Sequence, residues 1–178
     1  PVIPNAGGFA KDVLDKPVPA LAERKVIAIK GYHGWVGRAM VALEAVEVIA
    51  EHLEGYRLVI YSANRGTIRF ARQIANRTDL DITVFGKGKL THHQVLELFA
   101  SAKISIGLSL SDGISTSLLE SMAMGAIPVQ TTTACCDEWF SESGVKVGAI
   151  TVEAVKAAIL KGLELANNQK FSNLNREI

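Results

Sequence analysis

The stretch at residues 108–129, LSLSDGISTSLLESMAMGAIPV, most constrains what this chain can fold into. It opens on a polar, hydroxyl-rich loop, Ser109-Leu110-Ser111-Asp112-Gly113. A helix start follows at Ile114-Ser115-Thr116-Ser117 and runs through Met124. Gly125 ends that helix, and Ile127-Pro128-Val129 leads into a strand. The apolar run at residues 104–107, just ahead of the loop, reads as another strand. Strand, loop, helix and strand in series form half of an open parallel sheet. Such sheets bind ligands where strands end and helices begin. A helix start offers unpaired N–H groups and positive partial charge, which suits an anion such as phosphate. Asp112 and Glu120, with seven residues between them, are the two carboxylates of the stretch.

The remaining chain alternates in the same way. Residues 25–30 (KVIAIK) form an apolar, β-branched run of buried-strand type. They feed the glycine-rich loop 31–38 and a helix over 39–53, which Gly55 terminates. A second strand at 57–61 precedes a helix at 67–76. A third strand at 81–85 ends in the loop Gly86-Lys87-Gly88-Lys89-Leu90. Thr91 caps a helix over 92–101, and the fourth strand spans 103–107. Residues 145–147 suit a short last strand and 152–165 a well-patterned helix. Nearly continuous apolar strands imply a sheet covered on both faces. The fold class is therefore α/β: a Rossmann-like open parallel sheet with helices on both faces and right-handed crossovers. The domain occupies residues 25–165. Residues 1–24, with four prolines and Gly7-Gly8, read as an irregular lead-in or interdomain linker. Residues 166–178 are a polar tail, either a short extra helix or disordered.

Composition removes several function classes. The chain has 178 residues, with 19 Lys and Arg against 18 Asp and Glu, a net charge of +1. That balance argues against nucleic-acid binding driven by bulk charge. The aromatic share of 6% is too low for a base-stacking platform. No apolar run reaches the ~18 residues of a membrane span. Cys135 and Cys136 are adjacent, and a bond between them would close a strained ring. Two reduced thiols fit a cytoplasmic protein. His33, His52, His92 and His93 show no ligand spacing with them, so neither a metal nor a cofactor is expected. No signal peptide is expected within it, and since the sequence starts at Pro1 its N-terminus is expected to continue a longer protein.

Each candidate site residue has an ordinary explanation beside the functional one. Ser115, Thr116 and Ser117 can cradle a diphosphate with amides and hydroxyls. Ser117 and Glu120 also fit the S-x-x-E capping box. Asp112 and Glu120 can accept hydrogen bonds from a sugar and a ribose. They are equally a turn aspartate and a capping glutamate. Gly31, Gly34 and Gly37 permit close backbone approach to a ligand, and Arg38, with Lys30 nearby, can neutralise phosphate. Their spacing matches neither G-x-G-x-x-G nor a P-loop, and a tight turn with a surface arginine accounts for them as well. His92-His93 read as a solvent-facing pair at a helix start.

As one unit, residues 112–129 resemble the E-G-F-G-L-x-x-x-E-A-M-A-x-G-x-P-V signature of retaining GT-B glycosyltransferases of the family 4 (group 1) type. The acidic pair, the glycine after the first acid, Met-Ala-x-Gly and Pro-Val are all present. Two residues, Ala126-Ile127, separate Gly125 from Pro128 where the family usually has one. The resemblance implies the C-terminal, nucleotide-sugar-binding domain of such an enzyme. Asp112 then contacts the donor sugar as the catalytic-site acid, one carbon shorter than the usual Glu. Glu120 holds the ribose. Gly113, Ile114, Ser115, Thr116 and Ser117 hold the diphosphate. Gly31, Gly34 and Arg38 line the donor site, although Tyr32 follows Gly31 where the family has a basic residue. The resemblance further implies a nucleotide-diphosphate sugar as partner, no bound metal, and an acceptor domain that precedes this one and is missing here. Any membrane association would run through that missing part. The alternative is a non-catalytic α/β nucleotide- or sugar-binding module that has lost transfer chemistry. A phosphorylase or sugar-nucleotide epimerase of the same fold is a third option.

Overall fold

A computed structural model describes residues 17–113 and 115–177. Ile114 and most of the expected lead-in lie outside them. Six strands form one sheet: β1 Val26–Lys30, β2 Arg57–Ala63, β3 Asp81–Gly86, β4 Ala102–Gly107, β5 Ile127–Thr131 and β6 Val145–Val147. Their order is β3-β2-β1-β4-β5-β6, and every pairing is parallel. Six α-helices are described: α1 Ala39–Val48, α2 Arg65–Ala75, α3 His92–Ser101, α4 Thr116–Ala123, α5 Val152–Leu165 and α6 Gln169–Arg176.

Side-chain alternation explains the two-faced core. In a strand successive side chains point to opposite faces. Ile27, Ile29, Leu58 and Ile60 enter one core, with Leu43 and Val46 of α1, Ala71 and Ile74 of α2, and Val155 and Ile159 of α5. Val26, Ala28, Val59 and Tyr61 enter the other, with Phe99 of α3 and the end of α4. Strands buried on both faces have no polar side to show, which is why they read as unbroken apolar runs.

Several boundaries differ from those expected. The first helix stops at Val48 and resumes as a tighter 3-10 turn, Ala50–Leu53. The crowded branched run Val46, Val48, Ile49 lies at this break. The second helix starts at Arg65, two residues early, because the Asn64 side chain accepts the Thr67 N–H at 3.0 Å. β2 runs on to Ala63 through a bulge: Ile60 pairs with Val84, but Ala63 pairs with Gly86. The extra residue is absorbed at Ser62, whose φ of 53° is left-handed.

The flanking segments pack onto the sheet. Leu21 is buried in the core, and the buried Arg24 guanidinium donates to the carbonyls of Pro19, Ala102 and Met124. The tail carries α6, which packs on α4 and β5. From α6, the buried Asn175 side-chain amide donates to the carbonyls of Ala126 and Ser143.

Gly125 explains how α4 turns into β5. Its φ is +75°, and its N–H donates to Met122 O while that of Ala126 donates to Ser121 O. These two bonds make a Schellman stop. Ala126 completes it and β5 begins at Ile127, so the residue in excess of the family pattern is taken up here. A Cβ on Gly125 would lie 2.4 Å from Ser172 Oγ on α6. Gly125→Ala should lower the unfolding free energy by about 2–4 kcal/mol, through left-handed strain and overpacking together. In urea denaturation, adding Ser172→Gly should recover part of that loss; a loss that stays whole would show that α6 is not the obstacle.

Candidate functional site

The strand order reverses between β1 and β4, and in open α/β sheets the crevice beyond such a reversal is where ligands bind. Here it is bounded by the loops 31–38 and 108–115. The two loops are stitched together. Arg38 N–H donates to Leu108 O at 3.0 Å and Leu110 N–H to Val36 O at 2.7 Å, with Gly37 bridged to Ser109. The second loop is also tied to the end of β5. Thr131 Oγ1 accepts the Ser109 N–H at 3.0 Å and donates to Ser109 O at 2.8 Å, and the Thr133 hydroxyl donates to that same carbonyl.

Close packing against β2 and within the first loop itself accounts for two of the three loop glycines. A Cβ on Gly31 would lie 2.7 Å from Ala63 Cα, and one on Gly37 2.3 Å from Tyr32 O. On those sides the close approach is between the chain's own backbone segments. Gly34 differs: its φ is +126° and its Cβ side is open. It begins an exposed tip where Trp35 is 95% accessible.

At the start of α4 the polar groups are left available. Side-chain oxygens of Asn64, Thr91, Thr151 and Asn168 cap α2, α3, α5 and α6. The start of α1 is served by Tyr32 O, which takes the Ala39 N–H, and by His33 Nδ1, which takes that of Met40 at 3.2 Å. For α4 the N-cap is Ser115, whose side chain makes no cap bond. Among the described residues no acceptor takes the N–H groups of Thr116 or Ser117. The expected Ser117–Glu120 capping box does not form. The helix starts at Thr116, so Glu120 is its fifth residue, too far along to reach back to its start. Ser117 Oγ lies 3.2 Å from Ser115 Oγ instead.

Glu120 turns sideways to α3. Its Oε1 lies 2.7 Å from His92 Nε2. His92 therefore does not simply face solvent, as its place beside His93 suggested. Tyr61 is buried in β2; burial, with Glu120 adding a smaller effect, pushes its phenol well above the usual range against an opposing pull from Ser117. Its ring sits edge-on to Phe99 at 5.4 Å. Tyr61, Ser117, Glu120 and His92 thus surround the first turns of α4.

Asp112 reaches toward the facing loop, with its Oδ2 3.7 Å from Lys30 Nζ at the end of β1. Gly113 is exposed beside it with open space on its Cβ side. Arg38 donates from Nη1 to the carbonyls of Gly34 and Gly37, at 2.9 Å for Gly37. It braces its own loop. The fold thus gathers Asp112, Gly113, Ser115, Thr116, Ser117 and Glu120 on one side of the crevice and Gly31, Gly34, Lys30 and Arg38 on the other. Ile114 lies outside the described residues. His92 and Tyr61 escaped the sequence reading. A capped helix start after a glycine-lysine loop gave no hint of a partner 28 residues on, and Tyr61 looks like any strand aromatic.

A separate cavity of about 890 Å³ lies between Lys25, Tyr56, Arg57 and Asp81, at the amino-terminal ends of the strands. None of the expected site residues lines it, and the strand order places ligand binding at the opposite end. An open crevice encloses little volume, so cavity size is the weaker guide here. Among the described residues no group of three or more His, Cys, Asp or Glu could hold a metal ion. No described helix is long and apolar enough to cross a membrane.

The family model described as "Glycosyl transferases group 1" matches residues 23–164. No curated protein matches by sequence. Among solved structures, an alpha,alpha-trehalose-phosphate synthase (UDP-forming) from Burkholderia xenovorans superimposes with a TM-score of 0.72 at 16% identity, over 89% of this chain and 41% of that one. A glycosyltransferase from Rickettsia africae ESF-5 gives 0.72 at 17% identity, over 96% and 50%. A structure described as trehalose-6-phosphate from E. coli bound with UDP-2-fluoro glucose gives 0.72 at 14% identity, over 93% and 44%. These likenesses show the fold. The chain spans half or less of the length of each protein.

The His33 contact has a measurable pH signature. Burial, then the neighbouring Arg38, hold the His33 imidazole below its ordinary value of 6.5, against a smaller opposing pull from Glu44. Protonating Nδ1 would also remove the acceptor for Met40. A group with a lowered folded value contributes stability that is complete above its unfolded value and lost as pH falls through the folded one. Stability should therefore decline below pH 6.5, and His33→Asn, which keeps an acceptor that does not titrate, should flatten that decline. Equal slopes for the two proteins in urea melts from pH 7.5 to 5 would rule the linkage out.

Proposed function

The chain belongs to the group 1 glycosyl transferases, and on that premise we propose that it is the donor-binding domain of an enzyme that transfers a sugar from a nucleotide-diphosphate sugar with retention. The observation that carries this reading is the start of α4, whose first N–H groups have no partner among the described residues and whose position is the switch point of the sheet. The other described helices have their starts occupied. An anion completes this one.

In this reading the Thr116 and Ser117 amides and the hydroxyls of Ser115, Thr116 and Ser117 hold the diphosphate. Gly113 lies close beside it, and Ile114 is proposed as a further contact from its place in the motif. Glu120 accepts the ribose hydroxyls, and Asp112 orients the donor sugar. Gly31 and Gly34 shape the facing loop, and Arg38 lies on it to meet phosphate charge. The bond between sugar and diphosphate breaks with negative charge growing on the phosphate oxygens. Fixed N–H dipoles and a cation aimed there stabilise that charge without reorganising, as an oxyanion hole does. Lys30 holds Asp112 before the donor arrives, and the sugar hydroxyls then compete for the same carboxylate. The UDP-2-fluoro glucose bound to the E. coli neighbour supports a nucleotide sugar as the partner. The acceptor is held by a second domain outside this chain, in keeping with the larger size of the neighbours, and any membrane contact runs through that part. The reaction is cytoplasmic, where nucleotide sugars are made.

One observation favours the non-catalytic alternative: Asp112 is short and already paired, and Arg38 Nη1 is occupied by its own loop. Activity of the full-length protein with a donor panel separates the two readings. For the domain itself, calorimetry with UDP, GDP and ADP should reveal binding of at least one of them. A folded sample that binds none at millimolar concentration overturns the proposal. Glu120→Ala should weaken nucleotide binding about tenfold, the scale of a hydrogen bond to a charged group. Because Glu120 caps nothing, the loss of nucleotide affinity should exceed the loss of unfolding free energy, which urea melts of the same variant would measure.

A further inference from the structure

We propose that His92 is a positioning residue for the ribose-binding carboxylate, so that recognition of the ribose hydroxyls depends on a histidine delivered by the loop after β3. This rests on the ribose role of Glu120 given above. A carboxylate at neutral pH only accepts hydrogen bonds. At 2.7 Å the proton between the two groups therefore belongs to His92 Nε2, whether the ring is neutral or charged. The contact occupies Oε1 of Glu120, while Oε2 has no partner among the described residues.

The two side chains are not equivalent. His92 is 69% exposed and Glu120 only 16%. The imidazole binds one oxygen of the carboxylate from the more exposed side and leaves the other for a ligand. An exposed pair of this kind adds little to stability. Its effect is to select one orientation of a carboxylate that would otherwise rotate.

The backbone that delivers His92 is itself held. Thr91 Oγ1 accepts the Gln94 N–H at 3.3 Å, and Gln94 Oε1 accepts the Thr91 N–H at 2.9 Å. This capping box sets the first turn of α3, with His92 as its first residue. α3 then packs alongside α4, which carries Glu120. The loop between Gly86 and Leu90 ends at this helix start.

The test compares UDP, GDP and ADP with their 2′,3′-dideoxy forms by calorimetry on this chain, with inorganic pyrophosphate as a third ligand. The wild type should prefer the ribose form. His92→Ala should lose about three- to tenfold on the ribose form, as when one hydrogen bond to a charged group is loosened. It should lose nothing on the dideoxy form or on pyrophosphate, so that the preference shrinks. His92→Gln, whose amide can still donate to Oε1, should restore most of the preference. The proposal is overturned if His92→Ala keeps the wild-type preference, or if it weakens both forms equally. A wild type that binds nucleotides but shows no preference overturns this proposal together with the ribose role of Glu120, and leaves the diphosphate reading standing. Absence of all nucleotide binding overturns the functional reading itself.

Discussion

Everything about the site follows from one constraint of parallel sheets: the chain must leave β1 and β4 in opposite directions. α1 carries it from β1 toward β2 over one face, and α4 carries it from β4 toward β5 over the other. Nothing in the local connectivity then covers the edge where β1 and β4 meet. The two loops that start there would be free to splay, and the backbone bonds between them prevent that. The second loop is tied down as far as Leu110, by the first loop and by Thr131 and Thr133, and only beyond that point does the chain reach the uncapped turn of α4. The crevice is therefore built rigid at its base and unfinished at its rim.

Much of the fold was legible because it follows from local chemistry. The buried strands show as apolar runs, and α5 spans residues 152–165, as its pattern indicated, because a Thr151 cap and a periodic apolar face agree. Gly125 announces a helix stop because few residues other than glycine take a left-handed conformation there without strain. Other features were hidden for equally physical reasons. The break in the first helix is decided by crowding of branched side chains, and the bulge at Ser62 by the register between β2 and β3. Ser117 and Glu120 imitate a capping box, but the helix begins at Thr116 because Ser115 already occupies the N-cap position. A motif rule presumes where a helix starts, and here tertiary packing sets that start.

The glycines at 31, 34 and 37 carry a similar lesson. A regular glycine spacing looks like room for a ligand, yet two of the three make room for the chain itself. The same reading holds for Arg38, whose charge points partly into its own loop. Residues that came together across long separations were the least legible. The Lys30–Asp112 pair needs β1 and β4 side by side, and the His92–Glu120 pair needs α3 to cross over two strands before it meets α4. Neither proximity is written in spacing. Both follow once the strand order is known.

α4 has eight residues, fewer than an isolated helix needs to persist in water. Its position must come from what it packs against. On one side Leu118 and Met122 meet Cys136 and Phe140, where burial pushes the Cys136 thiol above its usual range and keeps it a plain apolar filler. On another, Ala123 and Met124 join the core with Phe99 and Ala28. At its end, the tight turn at Gly125 sits against Ser172, and Asn175 holds Ala126 O and Ser143 O together. The C-terminal helix, which sequence left as an optional tail, therefore fixes the far end of the element whose near end faces the ligand. The precision with which Thr116 and Ser117 present their N–H groups is set in part by residues some fifty positions further along the chain.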